Sequence, residues 1–332
     1  MVGRQPTFAF LRAPLDNAFV IIEDDPPEMF MKQAAACLRW VQVNIEKVSY
    51  KSLSKTARSV LLCGMLVWLV AQTVDASELK KQTAAAFDRY IAASGARMQA
   101  ELPNGPFLFV DTLPEERREE AYAQLREGQI LVNPVHAKAA GSPMRVPGGL
   151  IHDWIGVAFI PNVSLAETLA VAQDYDHYQD IYRPEVRRSK LLQRSGDNFT
   201  VFLQFYKKSL VTVVLNANFD IHYERLGPDR VVSDSYSTRI AEVEEAGQAD
   251  ERELPVDGGH GYLWRLDSYW RLEEKDGGVY VQLESIGLSR SVPAVFALLV
   301  NPLLRSIPRG VLTDMLGATR RFVAKPDLKT RP

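Results

Sequence analysis

Two spacings divide the chain. Between residues 149 and 289, apolar and polar side chains alternate in runs bounded by Gly, Pro, Asn and Asp; from residue 291 the apolar positions recur three and four apart. A period of two is that of a strand with one face covered, and a period near 3.6 that of a helix with an apolar stripe. The alternating runs predict strands at 150–160, 187–194, 199–208, 211–225, 230–243, 260–273 and 279–289. After the first strand, Ser164 and Glu167 form a capping box that opens a helix to about Ala172, leading into the polar segment DYDHYQDIYRPEV. Residues 246–259 form a charged, Gly-containing loop. The short polar turns joining the later strands imply antiparallel pairing in a meander.

The stretch 291–324 is a helix candidate, with Ser291 as N-cap and Pro293 in the first turn. Its apolar face carries Phe296, Leu299, Val300, Leu303, Leu304, Ile307, Val311, Leu312, Met315 and Phe322. Pro302 and Pro308 predict a kinked or segmented helix. It is the large apolar element available to cover the sheet, so the fold class is α+β: a curved antiparallel sheet of about seven strands wrapped on a long C-terminal helix. A helical preface comes first, with helices at 78–102 and 114–128 and short strands at 107–110 and 130–135. Gly- and Pro-rich sequence marks a boundary near 140–149.

Charge excludes one class of partner. The 332 residues carry a net charge of −2, and residues 77–332 hold 31 basic against 34 acidic residues. That is no footprint for nucleic acid. Both cysteines, Cys37 and Cys63, precede residue 77, so the rest of the chain forms no disulfide. Residues 51–76 have the three parts of a secretory signal: Lys51, Lys55 and Arg58, an apolar run from Val60 to Val70, and small residues before Ser77. The expectation is an exported protein, periplasmic or secreted, or one anchored by an uncleaved signal. The displaced position of this signal further suggests that translation starts nearer Val48 or Leu53, leaving 1–50 as a disordered or untranslated extension. The domain plan is then 1–50 extension, 51–76 signal, 77–145 preface and linker, and 146–325 folded ligand-binding domain.

The element order, together with Ser289-Arg290-Ser291-Val292-Pro293 between the last strand and last helix, resembles the START-like, or helix-grip, superfamily, and its bacterial polyketide cyclase-like members in particular. The resemblance covers about residues 146–324; the internal prolines, the 246–259 insertion and the preface depart from it. It implies an apolar cavity between sheet and helix for a lipid or other hydrophobic small molecule, without implying one chemistry.

Alternation assigns side chains to that cavity. Val213, Leu215, Ala217, Phe219, Ile221 and Tyr223 share a face, as do Val201, Leu203 and Phe205, and Tyr262, Trp264, Leu266, Ser268 and Trp270. Small Ala217 and Ser268 among aromatics leave room. The ligand-lining set is therefore Leu203, Phe205, Leu215, Ala217, Phe219, Trp264, Trp270, Phe296, Leu299 and Leu303. No catalytic residue, metal site or cofactor is expected. His177 with Asp174 or Asp180 has helical i±3 spacing, which would suit a general base or metal ligand, but no second His or Cys stands at ligand spacing and a polar segment over a cavity mouth explains it better. His152, His222 and His260 read as surface or strand-end residues, and Glu284, Asp267 and Arg239 as an outward cross-strand ion pair. No nucleotide, hydrolase or zinc-protease motif occurs. The leading expectation is a binder of a hydrophobic small molecule or lipid, with possible peripheral membrane contact. A cyclase- or hydrolase-like enzyme on the same fold, or a packed protein-interaction module, is the alternative.

Overall fold

The computed structural model describes residues 78–325 apart from 103–104, 136–137, 140–141, 145, 209–211 and 292–293; for 138–139, 142–143 and 294–306 it describes the backbone alone. The extension and signal expected at 1–76 lie outside the described residues. In chain order come α1 (Lys81–Glu101), a 3-10 turn at Phe109–Thr112, α2 (Glu115–Arg126) and β1 (Leu131–Pro134). A two-strand pair, β2 (Lys138–Ala139) and β3 (Ser142–Pro143), precedes β4 (Gly149–Pro161). Then follow α3 (Leu165–Ala172), a 3-10 turn at Tyr175–His177, α4 (Tyr178–Ile181), β5 (Val186–Ser195), β6 (Asn198–Lys208), β7 (Thr212–Arg225) and β8 (Arg230–Glu244). The chain ends with β9 (Arg252–Glu253), β10 (Arg265–Lys275), β11 (Gly278–Arg290) and α5 (Ala294–Val323).

Every neighbour in the main sheet is antiparallel, in the order β1-β4-β11-β10-β8-β7-β6-β5, with β9 paired to β8. The chain leaves β4, crosses through α3 and α4 to the far edge, and returns strand by strand until β11 closes against β4. The expected capping box forms: the Ser164 hydroxyl accepts from the Glu167 N–H, and Glu167 accepts from the Ser164 N–H at 2.7 Å. With α5 docked on one side, this is the α+β helix-grip arrangement.

Three local expectations change. Residues 107–110 are not a strand, because the Asp111 carboxylate accepts from the Leu108 N–H at 2.9 Å and closes a 3-10 turn. The strand expected from residue 260 begins only at Arg265. Gly259 and Gly261 have φ of +76° and +77°, which interrupts extended backbone before it. The terminal helix is not segmented: α5 runs through both prolines. Each proline removes one N–H from the helical ladder without ending it.

Both faces of the sheet are covered. On one lie Leu312, Leu316, Ala318 and Val323 of α5, in a core with Ala158, Ile160, Val201, Leu215, Ala217, Phe219, Leu272 and Leu283. Burying a side chain such as Leu312 or Leu316 is worth roughly 1.5–3 kcal/mol. Gly156 of β4 makes the approach possible, since a Cβ there would stand 2.7 Å from Leu316 Cδ1. The other face is covered by α1, whose Ala86, Phe87, Tyr90 and Met98 pack with Trp264, Tyr269, Ile286 and Leu288. The preface is thus a third layer on the sheet.

Candidate functional site

The two faces are packed differently. Against α1, Ile286 and Leu288 are wholly buried, and Tyr280 is wholly buried against Tyr122 of α2. On the α5-facing side, Trp154, Phe205, Val213, Leu263, Leu266, Trp270 and Met315 border the core and remain only partly buried. Phe205 and Phe219 meet edge to face with centroids 5.9 Å apart. The result is an apolar, aromatic-rich strip beside a helix, with Ser268 between Leu266 and Trp270 on the same face. Such a surface can hold an apolar body by burial, with few polar groups to orient it.

The structure brings most of the sequence-derived lining together. Leu203, Leu215, Ala217 and Phe219 are in the α5-side core, with Phe205 and Trp270 at its margin. Trp264 is elsewhere: it lies in the α1-side cluster with Phe87 and Tyr90. It precedes β10, so strand alternation does not extend back to it. Tyr262, also assigned inward, is exposed. Phe296, Leu299 and Leu303 lie outside the described side chains.

Near α3, four tyrosines close one end of the core. Tyr175 and Tyr223 hydroxyls are 2.8 Å apart, Tyr223 also donates to the Ala172 carbonyl at 3.1 Å, and Tyr178 donates to the same carbonyl at 2.5 Å. The Tyr182 hydroxyl meets Thr319 of α5 at 3.1 Å. Burial raises all four phenols above their ordinary value, Tyr182 to about 12. Tyr223 thereby ties α3 to the sheet, and Tyr182 ties the segment after α4 to α5.

Polar groups that the sequence reading either missed (Asp153, Arg271) or placed outward (Asp267, Glu284) are buried beneath α1. Arg97 pairs with Glu284 and, at 3.3 Å, with Glu101. Arg271 reaches Glu101 at 2.8 Å and the Phe107 carbonyl at 2.7 Å, and Tyr90 donates to Asp153 at 2.8 Å. Burial raises the Glu284 carboxyl well above the usual range, and the neighbouring Asp153 charge adds to this. Asp153 is raised by burial against the opposing effects of Tyr90 and Arg97. Asp267 is pushed up to about 7, again chiefly by burial. The expected outward ion pair among Glu284, Asp267 and Arg239 is not formed; Glu284 pairs with Arg97 and Arg239 with Glu253. Alternation placed these residues opposite the apolar face correctly, but that face is covered by a helix.

The histidines also separate. His177 Nδ1 lies 2.6 Å from Asp174 Oδ1, as the i−3 spacing allows, on an exposed turn. His222 bonds Asn198 at the surface. His152 is an interior group instead, with Nε2 2.8 Å from Ser289 Oγ, and burial lowers its pKa to about 4. Among the described residues, no three His, Cys, Asp or Glu side chains gather as a metal site.

No family model matches the chain, and no curated protein matches it. Several solved structures are similar over part of it. A STAR-related lipid transfer protein from Xanthomonas axonopodis shares 18% identity, with 58% of this chain and 99% of that chain covered and a TM-score of 0.37. The Zhui aromatase/cyclase from Streptomyces sp. R1128 shares 13% identity over 52% of this chain and 94% of its own, with a TM-score of 0.37. Human STARD10 shares 10% identity over 62% and 80%, with a TM-score of 0.36.

Proposed function

We propose that this chain binds a hydrophobic small molecule or lipid against the α5-facing side of its sheet. The partly buried aromatics beside α5 carry the reading: Trp154, Phe205 and Trp270, with Leu266, keep apolar surface accessible at the margin of the α5-side core. Apolar area removed from water contributes roughly 25 cal/mol per Å² before the costs of association. Aromatic side chains present that area with little rotamer freedom to lose. The tripartite segment at 51–76 supports action outside the cytoplasm; sequencing the N-terminus of the exported protein tests that part.

Tryptophan emission tests the binding site itself, because Trp154 and Trp270 border the proposed surface. Titration with long-chain alcohols, fatty acids and sterols is expected to give a saturable change for at least one class, reduced in Trp270→Phe. Emission unmoved by every class contradicts the reading.

A further inference from the structure

The α5-facing side of the sheet carries one row of residues that apolar packing does not explain. Ile221, Ser235, Ser268, Ser285 and Trp154 stand directly opposite one another across β7, β8, β10, β11 and β4. Directly opposed residues of an antiparallel pair share a face. The two ends of the row, Ile221 and Trp154, lie in or against the α5-side core. So do Leu266 and Trp270, which flank Ser268 along β10, and Leu283, two residues before Ser285. The three serines therefore point to the α5 side. Opposed Cβ atoms lie roughly 5 Å apart, so the hydroxyls form a line about 10 Å long across the apolar strip.

Serine is a poor choice here if packing alone decides. A covered strand position favours Val, Ile or an aromatic residue, and a hydroxyl taken out of water costs free energy unless it is hydrogen-bonded. Neighbouring serines meet that condition: Ser289 Oγ is 2.8 Å from His152 Nε2, and Ser237 Oγ accepts from the Leu266 N–H at 2.9 Å. Among the described residues, the hydroxyls of Ser235, Ser268 and Ser285 have no such partner. Ser235 is 7% exposed, so little water reaches it. Ser268 and Ser285 are only partly buried, as are Trp154, Leu266 and Trp270 around them. The row on one side is Tyr223, Ser233, Trp270, Leu283 and Gly156, and the row on the other includes Leu266, Gly287 and His152. None of these is an Asp, Glu, Lys or Arg, and burial keeps the His152 imidazole neutral near pH 7. The sheet thus offers hydroxyls, which both donate and accept, and no counter-charge.

We propose that Ser235, Ser268 and Ser285 form a binding row for uncharged oxygen atoms of the ligand, that is, for hydroxyl, carbonyl or ester groups carried on an apolar body. The proposal rests on the hydrophobic-ligand reading and narrows it, against both a pure hydrocarbon and a charged group at this position. Three probes of one chain length test it by calorimetry on the full chain: 1-decanol, decanoate, and 1-chlorodecane, which has no oxygen. Wild type is expected to bind decanoate at least about tenfold more weakly than 1-decanol, because no counter-charge on the sheet meets the carboxylate. Replacing Ser268→Ala together with Ser285→Ala is expected to lower the ratio of 1-decanol to 1-chlorodecane affinity about tenfold, the effect of one net hydrogen bond. Its unfolding temperature is expected at or above that of wild type, since no protein hydrogen bond is lost. A purely structural part for the serines would instead lower that temperature and leave the ratio alone. Decanoate bound as tightly as 1-decanol by wild type, or an unchanged ratio in the double variant, overturns the hydroxyl row while leaving apolar binding standing. If neither 1-decanol nor 1-chlorodecane binds wild type, the apolar-site reading falls and the row with it.

Discussion

Arg97 shows how much one residue carries beneath α1. Its partner Glu284 is 2% exposed and raised by burial and by Asp153. Removing one member of a buried ion pair costs about 3–5 kcal/mol when the other must stay charged. Glu284 can instead take up a proton, so the penalty depends on pH. Arg97 is itself about a third exposed, so Arg97→Met is expected to cost less than a fully buried pair would, about 1–2 kcal/mol at pH 9, and clearly less at pH 5, measured by urea unfolding at each pH. An equal cost at both would show that Glu284 does not depend on Arg97 for its charge. These groups were illegible in the sequence for a physical reason. Asp153, Asp267, Arg271 and Glu284 fall on the polar alternation of their strands, where a buried, mutually paired side chain and a solvated one give the same letters. His260 was read as a surface or strand-end residue, because its partner Glu242 is separated from it by β9 and a loop.

At the scale of elements, alternation placed the strands from β4 to β8 and β11 with little error, because each has one face against an apolar core. It failed at β10, where aromatic residues before Arg265 mimic the same alternation while the Gly259 and Gly261 backbone leaves the extended region. The docking of α1 was not legible at all. Its inward positions include Thr83 and Ser94 beside Phe87, Tyr90 and Met98, so its apolar stripe is interrupted. Part of that attachment is therefore electrostatic and titrates. Asp153, Glu284 and Asp267 all bind their protons more tightly in the folded protein than in the unfolded chain; Tyr90, Arg97, Glu101 and Arg271 surround the first two, and Arg265 and Asp88 face Asp267. Groups raised on folding contribute stability that is fully present below their unfolded values, near 4, and is lost as pH rises through the folded ones, about 7 for Asp267. Amide exchange across Lys81–Glu101, corrected for intrinsic rate, is accordingly expected to speed up between pH 5 and pH 8.5 relative to α5. Equal protection at both pH values would mean that apolar contacts alone hold α1.

For the whole molecule, the arrangement of strands and terminal helix followed from the order of the two hydrophobic periods, and most of the proposed lining followed from strand parity. Parity assigns a face; it does not say how closely that face is covered. The accessible aromatic strip beside α5 exists only once that helix is docked. That accessible strip is the central claim, and native mass spectrometry of the purified protein tests it most directly. The account predicts a hydrophobic molecule that co-purifies, is released on denaturation and is recovered by lipid extraction, with less of it retained when Trp270 is replaced by Asp. A protein that carries no such mass and shows no thermal shift with lipids or long-chain alcohols would contradict it.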